Sequence, residues 1–157
     1  MTRLSVNINK IATLRNARGE DYPNLLKTAQ DIICFGAQGI TIHPRPDQRH
    51  IRYSDALELK GKINTELNIE GNPSKKFINL VNEIKPEQVT LVPDSEDAIT
   101  SSAGWDTINN FSFLSDIVEE LHSNSIRVSI FIDPDITMLE GAKKIKADRV
   151  ELFTGPY

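Results

Sequence analysis

Gly39-Ile40-Thr41-Ile42-His43-Pro44-Arg45-Pro46-Asp47-Gln48-Arg49-His50 is the stretch on which the reading of the chain turns. It opens as a short apolar, β-branched run, the pattern of a buried strand. It ends in His43 and Arg45, and the loop beyond carries Arg49, His50 and Arg52. Prolines at 44 and 46 forbid continuation of a ladder and stiffen the exit. A histidine and an arginine at the mouth of a buried strand are costly unless they meet a ligand or a counter-charge. A solvated basic turn is the plain alternative.

Outward from this strand the pattern repeats. Upstream, Leu4 to Asn9 alternates apolar and polar, as a strand does, and Lys10 to Gly19 reads as a loop or short helical turn with three cations. Tyr22-Pro23 opens a helix with Leu25, Leu26, Ala29, Ile32 and Ile33 at helical spacing, closed by Gly36. Downstream, Ser54 is the expected cap of a helix carrying Ala56, Leu57, Leu59 and Ile63. Leu67 to Glu70 is a third strand, and Asn72-Pro73 the start of a helix with Phe77, Leu80, Val81 and Ile84. Gln88 to Val92 is a fourth strand, followed by a polar loop to Asp106 and a helix with Phe113, Leu114, Ile117, Val118 and Leu121. Ile126 to Ile132 is a fifth, Asp133-Pro134-Asp135 turns into a helix, and Arg149 to Phe153 is a sixth. Strict strand–helix alternation argues for parallel βαβ units, in a closed barrel or an open doubly wound sheet. No Gly-rich phosphate loop follows any strand, which disfavours the open sheet.

Composition narrows the function. The 157 residues are one domain's worth of chain, with no apolar run of membrane-spanning length and no signal-peptide pattern at Met1 to Asn9. The single cysteine, Cys34, excludes an internal disulfide, fits a reducing cytoplasm, and in Ile32-Ile33-Cys34-Phe35 reads as a buried packing residue. The net charge of −4 is uneven: residues 1–60 carry nine Lys/Arg against six Asp/Glu, and the remainder nine against sixteen. An acidic chain does not suit nucleic acid. An arginine cluster within it suits a small phosphorylated ligand.

The strand ends deliver Asn7, Asn9, Lys10, His43, Arg45, Glu70, Asp133, Asp135 and Glu151. In a parallel barrel those ends share one face, where catalytic groups gather. His43 and Glu70 suit proton transfer. Arg45, His50, Arg18 and Lys10 suit phosphate, which needs charge and several donors. Lys10 also raises a Schiff-base rival. Other residues have plainer readings: Asp133 and Asp135 as helix caps, Asn7 as a backbone partner, Arg15 and Arg18 as a solvated loop, His122 on the surface, Trp105 packing its loop. Neither a metal site nor an organic cofactor is indicated. The chemistry suggested is proton transfer or condensation on phosphorylated small molecules.

The run from Val6-Asn7-Ile8-Asn9-Lys10 through Arg15-Asn16-Ala17-Arg18-Gly19 resembles the N-terminal signature of the pyridoxine 5′-phosphate synthases. The resemblance continues through Gly39 to Arg45, Arg49-His50-Ile51, Asn68-Ile69-Glu70, Leu91-Val92-Pro93, Ser129 to Asp133, Glu151 and Thr154 to Tyr157. It implies a TIM (β/α)8 barrel that condenses 3-amino-2-oxopropyl phosphate with 1-deoxy-D-xylulose 5-phosphate in vitamin B6 synthesis. It implies His43 and Glu70 as proton acceptors. Asn7 and Arg18 would contact the aminoketone phosphate, and Asn9, Lys10, Arg45, His50 and Thr100 the sugar phosphate. Glu151 would sit at the same mouth. A cytoplasmic homo-oligomer follows from the family.

Two departures stand out. Many members carry Asp-His where this chain has Asn9-Lys10. Residues 1–157 also hold only about six of the eight strands, so the expectation is one C-terminally incomplete barrel domain. It would lack the family's proton-donating histidine and be poorly stable or inactive alone. A non-catalytic phosphate-binding protein and a fragment completed by another polypeptide are the competing readings.

Overall fold

The computed structural model describes residues 2–94, 98 and 101–155. The chain divides into two compact units, residues 1–70 and 71–157.

The first unit holds β1 (Ser5–Asn7), α1 (Asn9–Arg18), α2 (Leu25–Cys34), β2 (Gly39–Ile42), α3 (Tyr53–Lys62) and β3 (Glu66–Gly71), which ends at the unit boundary. The strands are parallel, with Asn7 paired to Thr41 and Thr41 to Asn68. Parallel neighbours in register point to the same side. One side therefore carries Val6, Ile40, Ile42, Leu67 and Ile69, and the last four are fully buried. The other carries Ser5, Asn7, Thr41, Asn68 and Glu70. There the Ser5 and Thr41 hydroxyls lie 2.8 Å apart, and Asn68 Nδ2 donates to Thr41 Oγ1 at 3.5 Å. Leu25 and Ala29 of α2, and Ala56 and Leu59 of α3, belong to the buried core of this unit.

The second unit repeats the scheme with α4 (Lys75–Ile84), β4 (Gln88–Leu91), α5 (Phe111–Ser123), β5 (Arg127–Ile132), α6 (Ile136–Lys144) and β6 (Arg149–Leu152). β5 pairs in parallel with both β4 and β6. Val89, Leu91, Val128, Ile130 and Ile132 share one side and are buried. Gln88, Thr90, Arg127, Ser129, Arg149 and Glu151 share the other. Gln88 Oε1 accepts from Arg127 Nε at 2.9 Å and Arg149 NH1 at 3.0 Å. The strand–helix alternation is that of an α/β barrel. No helix among the described residues is long and apolar enough to cross a membrane.

Several local expectations are corrected. Residues 9–18 are a full helix, because Asn7 Oδ1 accepts from Asn9 N at 2.9 Å and Ile8, Ala12 and Arg15 form one buried stripe. Gly19, at φ 75°, closes it. Helix starts also shift. Asn24 rather than Pro23 starts α2, accepting from Lys27 N at 2.7 Å. Arg52 precedes α3, and the Asp55 carboxylate, not Ser54, takes its N–H at 2.8 Å. Ser74 rather than Asn72 caps α4. Cys34 is exposed, since it lies off the Leu25–Ala29 stripe, and the neighbouring Phe35 is 86% exposed. Asp135 does cap α6. Asp133 instead accepts from Gly104 N at 3.2 Å and ties the preceding loop to the end of β5. Trp105 packs that loop down, donating its backbone N–H to Phe131 and lying against Phe113.

A Cβ at Gly104 would collide with the backbone of Ile132 and Asp133, which cannot rotate away. Gly61, inside α3, has open space around it. Gly104→Ala is expected to cost about 1–3 kcal/mol or more, and Gly61→Ala to gain about 0.5–1 kcal/mol. Chemical denaturation of the two variants checks both signs.

Candidate active site

β2 stops at Ile42 because Pro44 and Pro46 follow. His43, one residue past the Ile42–Ile69 pair, falls opposite Glu70 on the polar side. Its Nδ1 lies 3.7 Å from Glu70 Oε2, an ion-pair separation rather than a hydrogen bond, and both side chains are largely buried. The His43 backbone N–H donates to Asn9 Oδ1 at 2.8 Å, so the first turn of α1 pins the end of β2. An aspartate at position 9 would accept the same bond, so the Asn9 departure leaves this contact intact.

The loop after β2 brings the cations in. Arg45 is buried at 6% exposure. Gln48 N–H closes a turn onto the Arg45 carbonyl at 2.9 Å, and Asp47 holds the Arg49 guanidinium at 2.7 Å. The His50 ring centroid lies 6.4 Å from that of His43, edge to face. His50 Nδ1 accepts from Ile51 N at 2.9 Å, which places the ring proton on Nε2. Burial lowers the His50 pKa, Arg45 and Arg49 lower it further, and Lys10 adds to them against Asp47. A neutral imidazole offering Nε2–H beside two guanidiniums and an ammonium is an anion-binding arrangement.

The first unit thus brings together Asn9, Lys10, His43, Arg45, His50 and Glu70. Asn7 stands at the end of β1 and serves the start of α1, the plain reading of it. Lys10 is exposed, without the desolvation a Schiff-base lysine needs. Arg18 is exposed at the far end of α1, about 13 Å along the axis from Asn9, and stacks over Tyr22 at 5.4 Å. Thr100 lies outside the described residues. Glu151 belongs to the second unit, where burial raises its pKa against an opposing hydrogen bond from Thr90. His122 is at the surface with Asp148, 2.8 Å away. Sequence reasoning passed over Asn16 and Asp55 and read Arg15 as part of a solvated loop. Arg15 is not a solvated loop residue: it is buried and paired with Asp55. The signal was its position one helical turn after Ala12.

Residues 4–157 match the family model described as pyridoxal phosphate biosynthesis protein PdxJ. The chain belongs to this family. It is 66% identical to the pyridoxine 5′-phosphate synthase of Flavobacterium johnsoniae, 65% to that of Cytophaga hutchinsonii and 62% to that of Christiangramia forsetii. Each match covers 100% of this chain and 66% of the relative, so the chain spans just under two thirds of the length of these PdxJ proteins. A mandelate oxidase variant with an FMN adduct shares the fold, with a TM-score of 0.59 at 10% identity over 93% of this chain and 53% of that one. That likeness places the PdxJ chain in the (β/α) barrel class and says nothing of its chemistry.

Two titrations follow. His50 resists protonation when folded, so the stability it contributes is full above its ordinary value of ~6.5 and is lost as pH falls through the lower folded value. Proton NMR of the His50 imidazole should show a midpoint below the ordinary histidine value. Glu151 has the opposite sign: its contribution is present below the ordinary carboxylate range and lost as pH rises through the raised folded value. Glu151→Gln should flatten that part of the stability–pH curve.

Proposed function

We propose that this chain supplies the proton-accepting and phosphate-binding part of a pyridoxine 5′-phosphate synthase. That enzyme condenses 3-amino-2-oxopropyl phosphate with 1-deoxy-D-xylulose 5-phosphate to pyridoxine 5′-phosphate, phosphate and water. The observation that carries the reading is His43 facing Glu70 inside a cationic loop, in a chain 66% identical to a synthase of that name. Condensation between an amine and carbonyls requires repeated proton removal, and a paired imidazole and carboxylate can share it. Arg45, His50 and Lys10 hold the sugar phosphate together with Asn9, and the family resemblance adds Thr100 as a further contact. Asn7 and Arg18 serve the aminoketone phosphate. That last role requires Arg18 to leave Tyr22, a rotation its exposed side chain permits. Glu151, carrying a proton more readily than an ordinary carboxylate, supports the same chemistry. The substrates are small and phosphorylated, the setting is cytoplasmic, and the complete enzyme is one barrel domain in a homo-oligomer.

The test uses the 157-residue chain alone and mixed with the remaining third of the Flavobacterium johnsoniae relative. Wild-type chain should bind 1-deoxy-D-xylulose 5-phosphate in calorimetry, and the mixture should form product. Glu70→Gln should keep binding within about twofold and lower turnover by about 10²–10⁴. A Glu70→Gln mixture as active as wild type would sink the catalytic assignment. Binding without product in any mixture would instead favour a phosphate-binding protein.

A further inference from the structure

Arg15 is 3% exposed, and the catalytic reading gives it no task. Its guanidinium forks onto Asp55, NH1 to Oδ1 at 2.8 Å and NH2 to Oδ2 at 2.9 Å. NH2 also donates to the His50 carbonyl at 3.3 Å. Nε and NH2 donate to Asn16 Oδ1 at 3.2 and 3.0 Å. Asn16 Nδ2 in turn donates to the carbonyls of Arg49, at 3.2 Å, and of His50, at 2.8 Å. Asp55 Oδ2 takes the backbone N–H of Arg52. The peptide groups on both sides of His50 are thereby held from α1, while Asp55 of α3 anchors Arg15 and the Arg52 N–H. The next N–H, of Ile51, is the one that holds His50 Nδ1.

A buried ion pair is a poor stabiliser compared with apolar side chains of the same volume. Its value here is directional, because a planar fork fixes orientation in a way that an apolar contact does not. We propose that Arg15, with Asn16 and Asp55, is a positioning unit: it locks the backbone around His50 so that the imidazole presents Nε2–H to a bound phosphate. The phosphate rests on the function proposed above; the lock on the imidazole does not.

The experiment separates the two. Arg15→Lys keeps the charge and loses the fork. Asn16→Ala keeps the Arg15–Asp55 pair and removes two donors to the loop, so it serves if Arg15→Lys does not fold. In the ligand-free chain, ¹⁵N NMR should show His50 as one tautomer in wild type and as a mixture in the variants, with its midpoint moved up toward the ordinary value. His122 should not change. Affinity for 1-deoxy-D-xylulose 5-phosphate should fall about tenfold or more, with inorganic phosphate less affected. Unchanged His50 tautomer and titration in a folded variant overturns the proposal. Loss of melting temperature alone, with both readouts unmoved, does the same. If wild type binds neither phosphate, the function proposed above fails, and the His50 tautomer still decides the positioning unit.

Discussion

The strands follow a period of two, apolar on one side and polar on the other except at Phe131 of β5, and the rest of the structure depends on that constraint. Ser5-Val6-Asn7, Gly39-Ile40-Thr41-Ile42, Gln88-Val89-Thr90-Leu91 and Arg127-Val128-Ser129-Ile130 are the same sentence in different residues. The apolar side must be covered by helices, which fixes where α2, α3, α4, α5 and α6 go. The polar side is left to bond with itself, as Ser5 does with Thr41 and Gln88 with two arginines. Barrel interiors are more often filled with branched apolar residues. A polar lining costs packing energy, and it needs internal partners to be tolerated. In return, any residue that continues the polar row past a strand end arrives at the mouth with its side chain already aimed. His43 occupies such a position, and Glu70 is the last polar residue of β3 itself.

This explains which parts were legible. The six strands, the alternation and the His43–Glu70 pair follow from local periodicity and from prolines that end a strand on a histidine. Residues 9–18 were obscured because Lys10, Arg15 and Arg18 read as a solvated loop. The helix shows only if Arg15 is accepted as buried. That acceptance depends on Asp55, forty residues away, and no local pattern announces such a pairing. Cys34 failed in the opposite direction, since apolar neighbours in sequence are not neighbours on a helix face. Ser54 and Asn72 had the right chemistry for caps, but Asp55 and Ser74 stood where the orphan N–H groups needed an acceptor.

Charge in the first unit is sorted more finely than its net value suggests. Arg15 is matched by Asp55 and Arg49 by Asp47, both at hydrogen-bonding distance. These pairs spend cationic charge on architecture. The His50 pKa is then lowered by burial first, by Arg45 and Arg49 next, and by Lys10 after the opposing Asp47.

The two histidines show what this sorting achieves. They lie 6.4 Å apart, yet one faces a carboxylate and the other faces cations. An imidazole that must accept a proton gains from a carboxylate that can share it. An imidazole that must donate to phosphate without titrating gains from a positive field that keeps it neutral and from a bond that fixes its tautomer. Both conditions are met within one strand exit because the loop turns between them, and it turns there because Pro44, Pro46 and the αL residue Gln48 leave the backbone little other choice. The different surroundings of His43 and His50 are therefore written into backbone geometry before any ligand arrives.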